Sequence, residues 1–142
     1  MRFLRVWLAT VLAAWSFGAL AAPGDPVKVV YHVNEGIEQA TSAIRNIRNH
    51  LTADPKAKIV VVAHAGGINF LLRDAKDKNG NPFDASVQDL VSKGVEFRVC
   101  RFTLQSRNID PKQVIEEAQI VPSGVAEVSR LQSQEGYAYL KP

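Results

Sequence analysis

The sequence predicts an α/β protein with three layers, α/β/α, in which helices cover both faces of a mainly parallel sheet of four to five strands. Strand-like segments alternate with helix-like segments, which is the order of βαβ units. Residues 58–63 (KIVVVA) form a continuous apolar run, as expected for a parallel strand that is covered on both faces. Another segment carries apolar residues three and four positions apart, a spacing that is typical of a helix lying on a core.

The amino terminus is predicted to be a secretory signal peptide over residues 1–22. It begins with two arginines, continues as an apolar run, and ends in small residues that offer a cleavage site at Ala19-Leu20-Ala21. This layout is less typical of a permanent membrane anchor. Residues 23–142 are then a single exported domain, with no membrane attachment after cleavage.

The charge balance excludes a general affinity for nucleic acid. Loss of Arg2 and Arg5 with the signal peptide reduces the basic residues from 17 to 15, against 14 acidic ones, so the mature net charge is +1. A surface of this kind does not predict binding to nucleic acid or anionic lipid. The remaining chain, about 120 residues, is long enough for one core.

The first half of the mature chain reads as strand, helix, strand and helix. Residues 27–33 are rich in β-branched residues, and Asn34 is positioned to cap the helix that follows. The apolar stripe of that helix consists of Ile37, Ala40, Ile44, Ile47 and Leu51. The strand at 58–63 leads into His64, the pair Gly66-Gly67 and a second helix over INFLLRDA.

The second half continues the alternation. Asp84 is expected to cap a helix that closes at Lys93-Gly94, and residues 95–99 form a strand that leads directly into a helix beginning at Arg101. Asp110-Pro111 predicts a further helix start. The expected remaining features are a very short strand at Ile120-Val121, a last helix capped by Ser123, and a closing edge strand over residues 137–140.

Polar and reactive residues follow the predicted strands. Asn34, His64, Cys100 and Ser123 each come directly after one of them. Because the carboxyl ends of parallel strands meet at one edge of a sheet, and ligands of such sheets bind there, these residues are expected to share a site.

Cys100 is the only cysteine of the chain, which leaves three interpretations open. At the start of a helix, beside Arg101, the thiol would be an activated nucleophile, since free N–H groups and nearby positive charge lower its pKa. It could equally be a buried structural thiol. An intermolecular disulfide is the third interpretation, because the compartment is oxidising.

His64 is the candidate partner of the thiol, as a base or as a donor to a bound anion. The backbone N–H groups of Gly66 and Gly67 would admit such an anion, although the pair matches no phosphate-binding motif. His32 lies inside the first strand and is interpreted as structural. Three histidines without a carboxylate cluster do not predict a metal site.

Four segments of the mature chain resemble the DsrE/DsrF-like family, in its exported branch. They are VKVVYHVNEG, IVVVAHAGG, GVEFRVCRFTL and the ending VPSGVAEVSRLQSQEGYAYLKP. The resemblance implies a compact DsrE-like α/β/α fold assembled as trimers or hexamers. It also implies that Cys100 carries sulfur as a persulfide, as in the sulfur-relay members. Those members follow their cysteine with small residues and an Arg-Arg-Gly type stretch, whereas Arg101 to Gln105 follow here, so partners and substrate do not carry over.

The resulting hypothesis is a periplasmic sulfur-handling protein that needs no cofactor. Cys100 would accept sulfane sulfur and pass it to another thiol or acceptor, with His64 assisting, and its predicted partners are a small sulfur compound or a partner-protein thiol. The substrate-binding residues are predicted to be Asn34, Gly66, Gly67, Arg101 and Ser123. The alternative is a non-catalytic ligand-binding or assembly module of the same fold, with Cys100 structural.

Overall fold

The computed structural model describes residues 24–142, so the predicted signal peptide lies outside the described residues. This part of the chain forms five strands: β1 (Lys28–Val33), β2 (Lys58–Ala63), β3 (Glu96–Cys100), β4 (Ala118–Val121) and β5 (Ala138–Leu140). Its four α-helices are α1 (Ile37–Ala53), α2 (Phe83–Ser92), α3 (Arg101–Ser106) and α4 (Gly124–Glu135). Two 3₁₀ helices cover Ala65–Leu71 and Pro111–Gln113.

The five strands form one sheet in the order β4-β3-β2-β1-β5, and every neighbouring pair is parallel. The predicted parallel α/β architecture is therefore confirmed, as is the edge position of the closing strand. The chain builds β1 to β4 outward in one direction and then crosses back through α4 to place β5 beside β1. This crossover brings the start of α4 to the carboxyl ends of β2 and β3.

The two faces of the sheet are covered unequally. The larger core includes residues of α1, α2, α3 and the first 3₁₀ helix. The opposite face has a small core, in which Val128 and Leu131 of α4 pack on Val30, Val60 and Val62. Among residues 24–142, no helix is both long and apolar enough to cross a bilayer.

The start of α1 differs from the prediction. Gly36, and not Asn34, is the N-cap residue, and no side chain caps the helix there. Instead, the buried Gln39 side chain reaches back from the first turn, and its Oε1 accepts the N–H groups of Asn34 and Glu35, each at 2.8 Å. The side chain of a helix residue thus holds the backbone just before α1, and these two N–H groups are not the first-turn donors that an Asn34 cap would have accepted.

The helix predicted over INFLLRDA is wrong in type and in bounds, because a 3₁₀ helix spans Ala65–Leu71. The cause is a close backbone approach: a Cβ on Gly67 would lie 2.1 Å from the Val33 carbonyl oxygen. The segment is held against the end of β1, and Leu72 then forms an antiparallel bridge with Val114.

Two further helix starts are also corrected. Pro82, and not Asp84, is the N-cap of α2, and Asp84 lies in its first turn. Asp110 does cap a helix by accepting the N–H of Lys112 at 2.9 Å, but only a three-residue 3₁₀ turn follows. By contrast, the helix closure at Gly94 is confirmed by its φ of +89°.

Candidate functional site

The candidate site lies where β2 and β3 end and α4 begins. His64 directly follows β2, Cys100 is the last residue of β3, and Ala63 pairs with Val99 in the sheet. Gly124, the first residue of α4, fits between them. A Cβ placed on it would lie 3.0 Å from the His64 Cβ and 3.2 Å from the Cys100 Cβ. The thiol and its predicted partner are therefore neighbours, separated only by a glycine.

The Cys100 thiol is buried but surrounded by donors. The residue is 5% exposed, and burial by itself opposes ionisation of the thiol. Hydrogen bonding from the Thr103 hydroxyl and from the backbone N–H groups of Gly124, Thr103 and Phe102 outweighs the burial, so the pKa of the thiol is lowered. The arrangement favours a thiolate.

Thr103 is oriented by the turn that follows β2. Its Oγ1 accepts the N–H of Ala65 at 3.0 Å, and hydrogen bonding from the same hydroxyl helps to lower the pKa of the Cys100 thiol. The sequence reasoning missed this residue. The usable signal was its position three residues after Cys100, since a side chain in the first turn of a helix often reaches back to the cap.

The turn at Ala65 is strained and held in place. Its φ is +50°, in the left-handed region that non-glycine residues rarely adopt. The carbonyl of Ala65 accepts Arg107 Nη1 at 3.2 Å, and the same nitrogen donates to Asn69 Oδ1 at 2.8 Å. Arg107, which follows α3, thus holds the turn that comes directly after His64. Strained backbone of this kind is typically found at functional sites.

A hydrogen-bonded chain leads from His64 to the sheet edge. His64 Nε2 lies 2.6 Å from His32 Nε2, and His32 Nδ1 lies 2.7 Å from the Tyr139 hydroxyl. The two imidazole rings stack with centroids 4.8 Å apart. Burial lowers the pKa of both histidines, and that of His32 is lowered further by His64 and Lys141. His32, interpreted from the sequence as structural, is therefore a direct neighbour of the site.

The glycine pair has a packing role. Gly67 lies against the backbone of Val33, and its N–H donates to the His64 carbonyl at 2.9 Å. A Cβ on Gly66 would lie 3.2 Å from the Glu35 carbonyl oxygen. This close approach explains both glycines without an anion.

The other predicted binding residues lie on the same rim in different settings. Ser123 caps α4 by accepting the N–H of Ala126 at 3.3 Å, which confirms the expected helix cap. Asn34 follows β1, and its Oδ1 is buried without a hydrogen-bond partner among the described residues. Arg101 is exposed in the first turn of α3, next to Cys100.

A nearly buried ion pair fixes α4 to the sheet. Arg98 of β3 pairs with Glu127 of α4, and their side chains are only 13% and 12% exposed. Arg130 also donates to Glu127 at 2.8 Å, and Arg98 to Glu96 at 2.6 Å. Since Glu127 lies one turn after Gly124, this pair holds the helix start beside the thiol.

Within residues 24–142, no group of three or more His, Cys, Asp or Glu side chains is arranged to hold a metal ion.

The chain is similar to a known protein family and to solved structures. The DsrE/DsrF-like family matches it over residues 21–142. A solved structure of a protein of unknown function, MTH1491 from Methanobacterium thermoautotrophicum, is 32% identical, with a TM-score of 0.73 over 82% of this chain and 99% of that one. The YchN protein of E. coli is 15% identical, with a TM-score of 0.69 over the same shares, and so shows the fold alone. No curated protein matches the chain.

Proposed function

The chain belongs to the DsrE/DsrF-like family, and from this membership we propose that it is an exported sulfur carrier in which Cys100 accepts sulfane sulfur and passes it on. Membership itself indicates a sulfur-related role. The persulfide on Cys100, the periplasmic location and the partners are the proposal. The donor would be a small sulfur compound or a partner-protein persulfide, and the acceptor another thiol.

The observation that carries the proposal is the set of donors around the Cys100 sulfur. A thiol reacts with S–S bonds only as its thiolate. The Thr103 hydroxyl and three backbone N–H groups all favour the charged form, and they outweigh the cost of burial. A cysteine that only packs in a core does not require hydrogen-bond donors around its sulfur.

The reaction is a thiolate displacement. The Cys100 thiolate attacks the terminal sulfur of a donor persulfide, R–S–SH, and forms a new S–S bond. The donor S–S bond breaks, and its electron pair leaves with the thiolate R–S⁻. The sulfane sulfur moves without net oxidation, and transfer to an acceptor thiol repeats the step in reverse. In residues 24–142 Cys100 has no other cysteine with which to form an internal disulfide.

His64 would assist by exchanging a proton with the leaving thiolate. It adjoins Cys100 across Gly124, and burial lowers its pKa, so the neutral ring is available at neutral pH.

Arg101 lies exposed at the same rim, where its charge would attract an anionic sulfur compound. Assembly into a homo-oligomer, by which a neighbouring subunit would border this rim, is part of the proposal.

Intact-mass analysis tests the function. The protein is purified from the periplasm without reductant, incubated with thiosulfate or glutathione persulfide, and weighed before and after reduction. We expect reducible additions of roughly 32 Da, one sulfur atom each. The Cys100→Ser variant, which lacks the only thiol, should gain no mass. An unmodified wild-type protein, or equal loading of the variant, would overturn the proposal.

The low exposure of Cys100 favours a second candidate, a ligand-binding or assembly module in which the thiol is structural. In that case the thiol would resist alkylation in the native protein and react only on unfolding. A ligand of the rim would still raise the melting temperature after Cys100→Ser. Fast native alkylation of Cys100 would exclude this candidate.

A further inference from the structure

The hydrogen-bonded chain of His64, His32 and Tyr139 connects the interior of the site to the sheet edge. His64 borders Cys100 at the inner end. His32 is in the middle and uses both ring nitrogens, Nε2 toward His64 and Nδ1 toward Tyr139. Tyr139 is 41% exposed on β5, so its hydroxyl is the outer end.

We propose that this chain is a proton relay that supplies the thiolate leaving group at Cys100 with a proton from solvent. The inference rests on the proposed function and adds positioning roles for His32 and Tyr139, which act through His64. The contacts of 2.6 and 2.7 Å join His64, His32 and Tyr139 without a gap, and the step from His64 to the Cys100 sulfur is what the proposal adds.

The relay works by changing tautomers. His64 donates a proton to the leaving thiolate from Nδ1, the ring nitrogen that does not face His32. Its Nε2 then accepts the proton of His32 Nε2, and His32 Nδ1 accepts the proton of the Tyr139 hydroxyl. The exposed tyrosine takes a proton from water. With a donor persulfide, the Cys100 thiolate, R–S–SH and one proton become the Cys100 persulfide and R–SH.

The charges around the relay suit this task. Lys141, just after β5, lowers the pKa of His32, and Lys141 itself pairs with Glu35 from the turn before α1 at 2.7 Å. His64 faces His32 through Nε2, and the β-carbons of His64 and Cys100 both border the start of α4 at Gly124. Burial keeps both rings neutral near neutral pH, and a neutral imidazole is able to donate at one nitrogen while accepting at the other.

Two reactions of the same thiol distinguish a relay from a packing role. Loading from glutathione persulfide releases a basic thiolate that needs a proton, whereas alkylation by iodoacetamide releases iodide and needs none. Both rates are measured in the wild-type protein and in Tyr139→Phe and His32→Gln. Tyr137→Phe is the matched control, since it removes a hydroxyl two residues away and outside the chain.

We expect Tyr139→Phe and His32→Gln to slow loading on the order of ten-fold while alkylation stays unchanged, and added imidazole to restore much of the lost rate. Tyr137→Phe should behave as wild type. Loading at the wild-type rate in both variants would overturn the relay alone, as would a loss that imidazole does not rescue or that alkylation shares. A wild-type protein that does not load at all would overturn the proposed function and the relay with it.

Discussion

Thr103 Oγ1 accepts the backbone N–H of Ala65 at 3.0 Å, so a hydroxyl of α3 is locked to the turn that follows β2. Hydrogen bonding from the same hydroxyl helps to lower the pKa of the Cys100 thiol. A side chain of α3 that is held by the segment after β2 thereby affects the acidity of a thiol at the end of β3.

Replacement of Thr103 should make the thiol less acidic. Thr103→Val keeps the shape of the side chain but removes the donor to Cys100. We expect native alkylation near neutral pH to slow about five-fold, the effect of losing roughly 1 kcal/mol of hydrogen bonding to the thiolate. The rate is measured by mass spectrometry as a function of pH. Thr103→Ser retains the hydroxyl and should react like wild type; equal slowing in both variants would contradict the assignment.

Substitution of Gly124 should disturb the thiol and the fold together. In Gly124→Ala the new Cβ would lie 3.0 and 3.2 Å from the β-carbons of His64 and Cys100, so the start of α4 must shift. We expect a loss of about 1 to 3 kcal/mol in the free energy of unfolding, with slower alkylation. Gly36→Ser serves as the control, because its side chain enters open space at a helix cap. A fully stable, fully reactive Gly124→Ala protein would rule out this packing.

The adjacent glycines Gly66 and Gly67 should respond unequally to alanine. A Cβ on Gly67 would lie 2.1 Å from the Val33 carbonyl oxygen, whereas on Gly66 the closest backbone atom is at 3.2 Å. Gly67→Ala is expected to destabilise the protein by at least about 3 kcal/mol, and Gly66→Ala by clearly less. Denaturant unfolding provides both values. Equal losses of stability in the two variants would contradict the close approach of Gly67 to the Val33 backbone.

Acidification should destabilise the fold through its paired histidines. Burial lowers the pKa of His32 and His64 below the ordinary 6.5, so below that pH the unfolded chain binds protons that the folded chain excludes. Their stabilisation is complete above pH 6.5 and is lost as the pH falls toward the folded values. Melting temperatures recorded from about pH 7.5 to about pH 5.5 should fall, and less steeply in His32→Gln. If the melting temperature of His32→Gln fell with pH as steeply as that of wild type, the paired histidines would not be the cause of the destabilisation.

The ion pair between Arg98 and Glu127 should be costly to break on one side only. Glu127→Gln removes the nearly buried one of the two counter-charges of Arg98 and leaves it with the exposed Glu96, so we expect a loss of up to about 3 kcal/mol. The double variant with Arg98→Met should recover part of it. Glu116→Gln removes a partner of the exposed Arg73 and should cost about 0.5 kcal/mol or less. Urea unfolding of the wild type, the single variants Glu127→Gln and Arg98→Met, their double variant and Glu116→Gln tests this order, and a strictly additive double variant would show that the two side chains do not interact.

The parallel sheet and the meeting of His64 with Cys100 were predictable because both depend on local patterns. The run at β2 is apolar throughout, and parallel strands necessarily end at one edge. The helix that begins directly after Cys100 was also predictable, because it too depends on a local sequence pattern. The Ser123 cap follows from a residue type that has one strong local preference.

The remaining part of the site depends on contacts between distant segments. His32 and Tyr139 are 107 positions apart and meet only because β5 pairs with β1. The cap predicted at Asn34 is wrong because α1 begins later, with Gly36 as its N-cap, and the Gln39 side chain accepts the N–H groups of Asn34 and Glu35 just before it. Gly67 has its role only where the backbone of Val33 passes close to it. No periodicity in the sequence encodes these pairings.

The crossover from β4 to β5 has a consequence for when Cys100 becomes acidic as the chain folds. The donors to Cys100 include Gly124 on the crossover helix, and Tyr139 arrives only with β5. Contacts of such long sequence separation form slowly, because the loop between them must first be closed. Until they form, the thiol lacks part of the hydrogen bonding that lowers its pKa. The acidity of Cys100 therefore depends on folding of the carboxyl-terminal segment.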